Sequence, residues 1–228
     1  MIQALIFDFD GLILETEEPI YQSWQEIYRE YGCELSFEYW SSIIGTSDFA
    51  SSPITNLEKQ VGIPILRDEI TKKQHEREME LILQKPVLPG VEEYLTRAHE
   101  LKMGIGLASS STCEWVTGHL KRLDLLHYFD SIKGSDDVEK TKPDPALYNA
   151  VINELGVKAG EAIVFEDSPK GIQAAKSAGL FCVVVPNALT RKLPLDNADM
   201  ILESLNDLSL DVLLNKFNRQ VGSISQLS

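Results

Sequence analysis

Short apolar runs alternate with amphipathic stretches along most of the chain. Ala4–Phe7, Gly104–Ala108, Ala162–Phe165 and Phe181–Val185 are each of strand length and end in polar or glycine-containing turns, the pattern of buried parallel strands. Between them Val91–Leu101, Thr112–Leu123, Pro145–Leu155 and Pro169–Ala178 place apolar residues at helical spacing. This alternation predicts an α/β fold with a doubly wound, Rossmann-like parallel sheet. Boundary residues agree: Ser111 with Glu114 reads as a capping box, Ser168-Pro169 as an N-cap followed by proline, and Gly179 as a helix stop.

One stretch departs from the pattern. From about Thr16 to Lys85 only helical periodicity is found, notably in Tyr21–Tyr31 and Arg67–Leu83, with a Ser-rich loop over Gly45–Pro53. The chain therefore reads as a core of residues 1–15 and 87–228 with an all-helical insertion over 16–86, and Pro86 and Pro89-Gly90 mark the return to the sheet. Asn218–Ser228 is polar and is expected to fray.

Charge narrows the possible partners. With 35 acids against 21 bases the formal net charge is −14, a field that repels nucleic acid and anionic membranes. It would equally repel a phosphorylated metabolite, so any phosphate site must carry its own cation, a metal or a lysine. Hydrophobic residues make up 43% and charged residues 25% of the 228, enough for a packed core. Cys33, Cys113 and Cys182 are far apart and form no C-x-x-C pair, which suggests reduced thiols and a cytoplasmic setting. Nothing near the N-terminus reads as a signal peptide or membrane span, because Asp8 interrupts the first apolar run.

Candidate chemistry sits at the strand ends. Asp8 and Asp10 follow the first strand in Phe7-Asp8-Phe9-Asp10-Gly11, where a period of two would send both carboxylates to one side, and Gly11 permits a sharp turn. Glu166 and Asp167 follow another buried strand. Acids from two strands at the edge where open α/β sheets bind ligands form a hard-oxygen set suited to Mg²⁺. Each has a plainer reading: Asp10-Gly11 as a turn, Glu166 and Asp167 as helix N-terminal acids. Ser109 and Ser110 begin a turn whose hydroxyl and backbone N–H groups can hold phosphate oxygens. Lys142, before Pro143, is either a surface lysine or the missing local cation. His75, His99, His119 and His127 show no metal spacing, and Trp24, Trp40 and Trp115 read as packing residues.

Taken in order, Asp8-Phe9-Asp10-Gly11, Ser109 after an apolar strand, Lys142 before Pro143, and Glu166-Asp167-Ser168 followed by Gly171 resemble the four motifs of the haloacid dehalogenase superfamily. The helical insertion resembles the small cap of its β-phosphoglucomutase-like subgroup. The resemblance implies a magnesium-dependent phosphatase of a small phosphorylated metabolite such as a sugar phosphate, with a cap that closes over the substrate. A monomer with a moving cap needs nothing further, and a monomer is expected. The resemblance further implies that Asp8 is the nucleophile and Asp10 the acid/base. Ser109, Ser110 and Lys142 would bind phosphate. Metal would be held by Asp8, the carbonyl of Asp10, Asp167 and, directly or through water, Glu166.

Departures from the subgroup bear on reaction type. Its mutases carry a His near the start of the cap, where this chain reads Pro19-Ile20, and a cap-loop Arg, absent from Gly45-Thr46-Ser47-Asp48; hydrolysis is therefore expected over mutase activity. Glu15 stands where many relatives have Asp, implying an altered hinge. Asp10 argues against the metal-free dehalogenases, which lack that second aspartate. Glu17 and Ser47 are weak candidates for substrate contacts. A sugar phosphomutase and a catalytically silent phosphate-binding protein are the alternatives.

Overall fold

The computed structural model describes residues 1–43 and 52–224. The chain divides into two compact units, Met1–Leu14 with Pro86–Ser228, and Glu15–Lys85.

The first unit is built on a six-stranded sheet of β1 (Ala4–Phe7), β2 (Gly104–Ala108), β3 (Ser131–Lys133), β4 (Ala162–Glu166), β5 (Phe181–Val184) and β6 (Met200–Ile201). All pairs are parallel and the spatial order is β3-β2-β1-β4-β5-β6. β1 is central, and strand order reverses beside it, which is where doubly wound sheets bind ligands. β1 and β4 are buried at every position, as expected of strands covered on both faces.

Alternation along the strands divides the core. Leu5, Phe7, Ile163 and Phe165 face one way; Phe7 stacks on Phe165, Tyr94 of α5 (Val91–Glu100) meets Phe165 edge-on, and Phe217 of α9 (Leu210–Ile224) packs on Phe181. The opposite face carries Ala4, Ile6, Ala162 and Val164 under Leu147, Tyr148 and Val151 of α7 (Ala146–Leu155) and Ile172 of α8 (Pro169–Ser177).

The second unit contains α1 (Glu17–Glu30), α2 (Phe37–Ile43), α3 (Pro53–Val61) and α4 (Arg67–Leu83), and no strand among its described residues. α1 and α4 pack together, joined by Gln74 donating to Ser23 and by the Arg77–Glu26 ion pair. Tyr28 is fully buried and donates to the Pro53 carbonyl. Gly45, Thr46, Ser47 and Asp48 lie outside the described residues.

The structure corrects three sequence expectations about elements. β3 and β6 have only three and two residues, too short for periodicity to reveal. The cap of α6 (Cys113–Arg122) is Thr112, whose hydroxyl accepts from Trp115 N–H; Ser111 is engaged elsewhere. Of the C-terminal stretch expected to fray, Asn218–Ile224 continues α9, with Asn218 Oδ1 accepting from Ile2 N–H at 2.7 Å; residues 225–228 lie outside the described residues.

Candidate active site

Three neighbouring strands deliver their last residues to one place. Asp8 directly follows β1 and its N–H donates to the Phe165 carbonyl; Glu166 ends β4 and Asp167 follows it; Ser109 follows β2. All four are buried. Lys142 enters from the loop between β3 and α7, and its side chain is 5% exposed, so it is no surface lysine. Its Nζ lies 2.7 Å from Asp8 Oδ1 and 2.7 Å from Glu166 Oε1.

Glu166 is held on all sides. Oε1 also accepts from the Tyr148 hydroxyl, and Oε2 accepts from Ser168 Oγ and from the N–H groups of Asp167 and Ser168. Gly171 makes room for it: a Cβ there would stand 1.8 Å from Glu166 Cδ. Gly11, at φ +80°, does the same for Asp167, whose Oδ2 would lie 2.5 Å from an added Cβ.

Electrostatics reflect the crowding. Burial and then the Glu166 charge raise the Asp8 carboxyl to about 7, against the pull of Lys142. Burial works against the Lys142 charge, but Asp8 and Glu166 outweigh it and hold the ammonium above its ordinary range. Burial, followed by the Glu166 charge, raises the Tyr148 hydroxyl, keeping it a neutral donor.

The carboxylates of Asp8, Glu166 and Asp167 each offer an oxygen within 4.8 Å of the others. Three acids facing one ammonium leave a negative, hard-oxygen pocket, which fits a divalent cation. Among the three, Glu166 is the one already surrounded by donors, whereas Asp167 Oδ2 accepts from Asn187 Nδ2 at 2.7 Å.

Asp10 lies beyond the end of β1 at Phe7, where the chain turns through Phe9–Leu14 with the N–H groups of Ile13 and Leu14 on the Phe9 carbonyl, and its charge still acts on Asp8. The Asp10 carboxylate accepts from Ser111 Oγ at 2.7 Å, Ser109 Oγ at 3.2 Å and Trp115 Nε1 at 3.1 Å. Ser109 Oγ itself accepts from Ser111 N–H. Ser110 is exposed at the turn.

Ser111, Trp115, Tyr148 and Asn187 were not singled out from sequence as site residues. Asn187 could have been, since it follows β5 at the same sheet edge; the other three emerge only when helices and strands are packed.

Residues 5–185 match the profile of the haloacid dehalogenase-like hydrolases. The chain belongs to that family. It is 44% identical to the Bacillus subtilis (strain 168) protein named "Putative phosphatase YhcW", over 96% of this chain and all of the relative. It is 32% identical to the phosphorylated carbohydrates phosphatase of Thermotoga maritima, over 78% of this chain and 82% of the relative. Among solved structures, β-phosphoglucomutase from Clostridium difficile superposes with a TM-score of 0.75 at 26% identity, covering 97% of this chain and 99% of that one. Family and relatives make the protein a phosphoric monoester hydrolase with a Rossmann-like core. Among the described residues no helix is long and apolar enough to cross a membrane.

Proposed function

We propose that this protein is a Mg²⁺-dependent phosphatase of a small phosphorylated metabolite, acting through an aspartyl phosphate on Asp8. The observation that carries the reading is the Lys142 ammonium set 2.7 Å from both Asp8 and Glu166 in a buried acidic pocket.

In this reading Asp8 attacks phosphorus with one carboxylate oxygen as the ester bond to the leaving oxygen breaks, dividing one displacement into two easier ones. Asp10 gives its proton to the leaving oxygen. It then takes a proton from the water that displaces the phosphoryl group from Asp8, a role worth roughly 10²–10⁴ in rate. Lys142 draws Asp8 toward its ionised form against burial and Glu166 and, with Ser109 and Ser110, meets charge on the phosphoryl oxygens. Asp8, Asp167 and the Asp10 carbonyl would hold Mg²⁺, which supplies charge neutralisation at the phosphoryl oxygens. Glu166, crowded by donors, serves by fixing Lys142. The phosphorylated carbohydrates phosphatase among the relatives favours a sugar phosphate or a similar ester.

The test is phosphate release from a panel of sugar phosphates, nucleotides and small alkyl phosphates, with Mg²⁺ and with EDTA. Release that needs Mg²⁺ supports the reading. Isomerisation of a sugar phosphate without release would replace it with a mutase, and binding without turnover with a silent phosphate-binding protein.

A further inference from the structure

Trp115 lies in the first turn of α6, and its indole N–H donates to Asp10 Oδ1 at 3.1 Å. The two serine hydroxyls lie on the other oxygen, Oδ2. The two kinds of donor differ chemically. A hydroxyl can turn round and accept, whereas an indole N–H only donates.

We infer that Trp115 is a positioning residue for Asp10, one that fixes the plane of its carboxyl group and confines the transferable proton to Oδ2. While the indole N–H points at Oδ1, a proton there would face another proton. On Oδ2 a proton is accommodated by rotation of the Ser111 or Ser109 hydroxyl from donor to acceptor. The inference rests on the proposed acid/base role of Asp10. The proton on Oδ2 passes to the leaving oxygen as the ester P–O bond breaks and the Asp8–phosphorus bond forms. It returns from water as the water oxygen bonds to phosphorus and the Asp8–phosphorus bond breaks.

The indole is built to hold its direction. Thr112 Oγ1 accepts from Trp115 N–H at 3.3 Å and anchors the backbone. One turn on, buried His119 meets the indole edge-on at 4.5 Å and lies 6.1 Å from Phe9, the residue between the two aspartates. A wholly packing role would need the ring but not the N–H.

Trp115→Phe keeps an aromatic ring and removes the donor. Its kcat/KM is compared with wild type on phenyl phosphate and p-nitrophenyl phosphate, which are alike in shape but whose leaving groups differ in their need for a proton. A displaced general acid should lower kcat/KM for phenyl phosphate about fivefold or more and leave p-nitrophenyl phosphate within about twofold. Equal losses on both substrates, or none, overturn the inference.

Asp10→Asn assayed in parallel separates this from the underlying reading. If it shows the leaving-group dependence and Trp115→Phe does not, the role of Trp115 falls and that of Asp10 stands. If neither shows it, both fall. The indole ¹⁵N–¹H resonance of Trp115, assigned by its loss in Trp115→Phe or through the backbone, gives a second readout that needs no turnover. Asp10→Ala should move it upfield in proton shift, and an unmoved resonance overturns the inference.

Discussion

The Lys142 ammonium and the Asp8 carboxylate lie 2.7 Å apart in a pocket where both side chains are nearly excluded from solvent. Two acids share that cation, since Glu166 lies equally close. Its removal should therefore harm the fold as well as the chemistry.

Lys142→Met leaves the buried carboxylates of Asp8 and Glu166 without their ammonium partner. Breaking a buried pair from one side costs about 3–5 kcal/mol, which chemical denaturation of metal-free protein would register. Added Mg²⁺ should recover part of the loss by supplying positive charge. Loss of a preplaced donor should also lower kcat by about 10² or more. Unchanged stability with EDTA present would contradict the ion pair's role.

Asp8 predicts how the metal-free protein responds to pH. Burial and Glu166 raise its carboxyl from 3.8 to about 7, so the folded state holds a proton that the unfolded chain releases near 3.8. This contribution is fully present below that lower value and is lost as pH rises through about 7. EDTA-treated protein should lose melting temperature between about pH 4 and 7 by way of this group, and the loss should level off above that. Mg²⁺, in displacing the proton, should stabilise more at the upper end. Thermal melts of wild type and Asp8→Asn, with and without metal, check this; equal pH slopes in metal-free wild type and Asp8→Asn would contradict it.

Gly171→Ala sets propensity against packing. In an exposed helix interior the change would be stabilising by about 0.5–1 kcal/mol. Here the new Cβ would stand 1.8 Å from Glu166 Cδ, so Glu166 must leave its donors on Lys142, Tyr148 and Ser168. Net destabilisation in a denaturant melt, with weakened activity, is expected. A stabilised and fully active variant would mean that Glu166 has another place to go.

Much of this arrangement could be read from sequence because it depends on local pattern. β1 and β4 are continuous apolar runs ending directly in acids, so the sheet edge and the grouping of Asp8, Glu166 and Asp167 follow from the parallel fold. Arg67–Leu83 is a helix with the bounds its periodicity gives. β3 and β6 were illegible because two or three residues carry no period. Ser111 looked like a cap because its hydroxyl's partner, Asp10, lies 101 residues away in sequence. Lys142 could be read as a surface residue or a site cation until its burial was seen. The indole bond to Asp10 depends on how α6 meets the turn after β1, where His119 lies 6.1 Å from Phe9, which no short window of sequence records.

The central claim is that Asp8 carries the phosphoryl group. Acid quenching during steady-state turnover with Mg²⁺ and a substrate found in the panel, followed by mass spectrometry of the peptide containing Asp8, tests it directly. Wild type should show a phosphoryl adduct on Asp8, and Asp8→Asn, still folded, should show neither adduct nor turnover. Normal turnover by metal-replete Asp8→Asn would contradict the account.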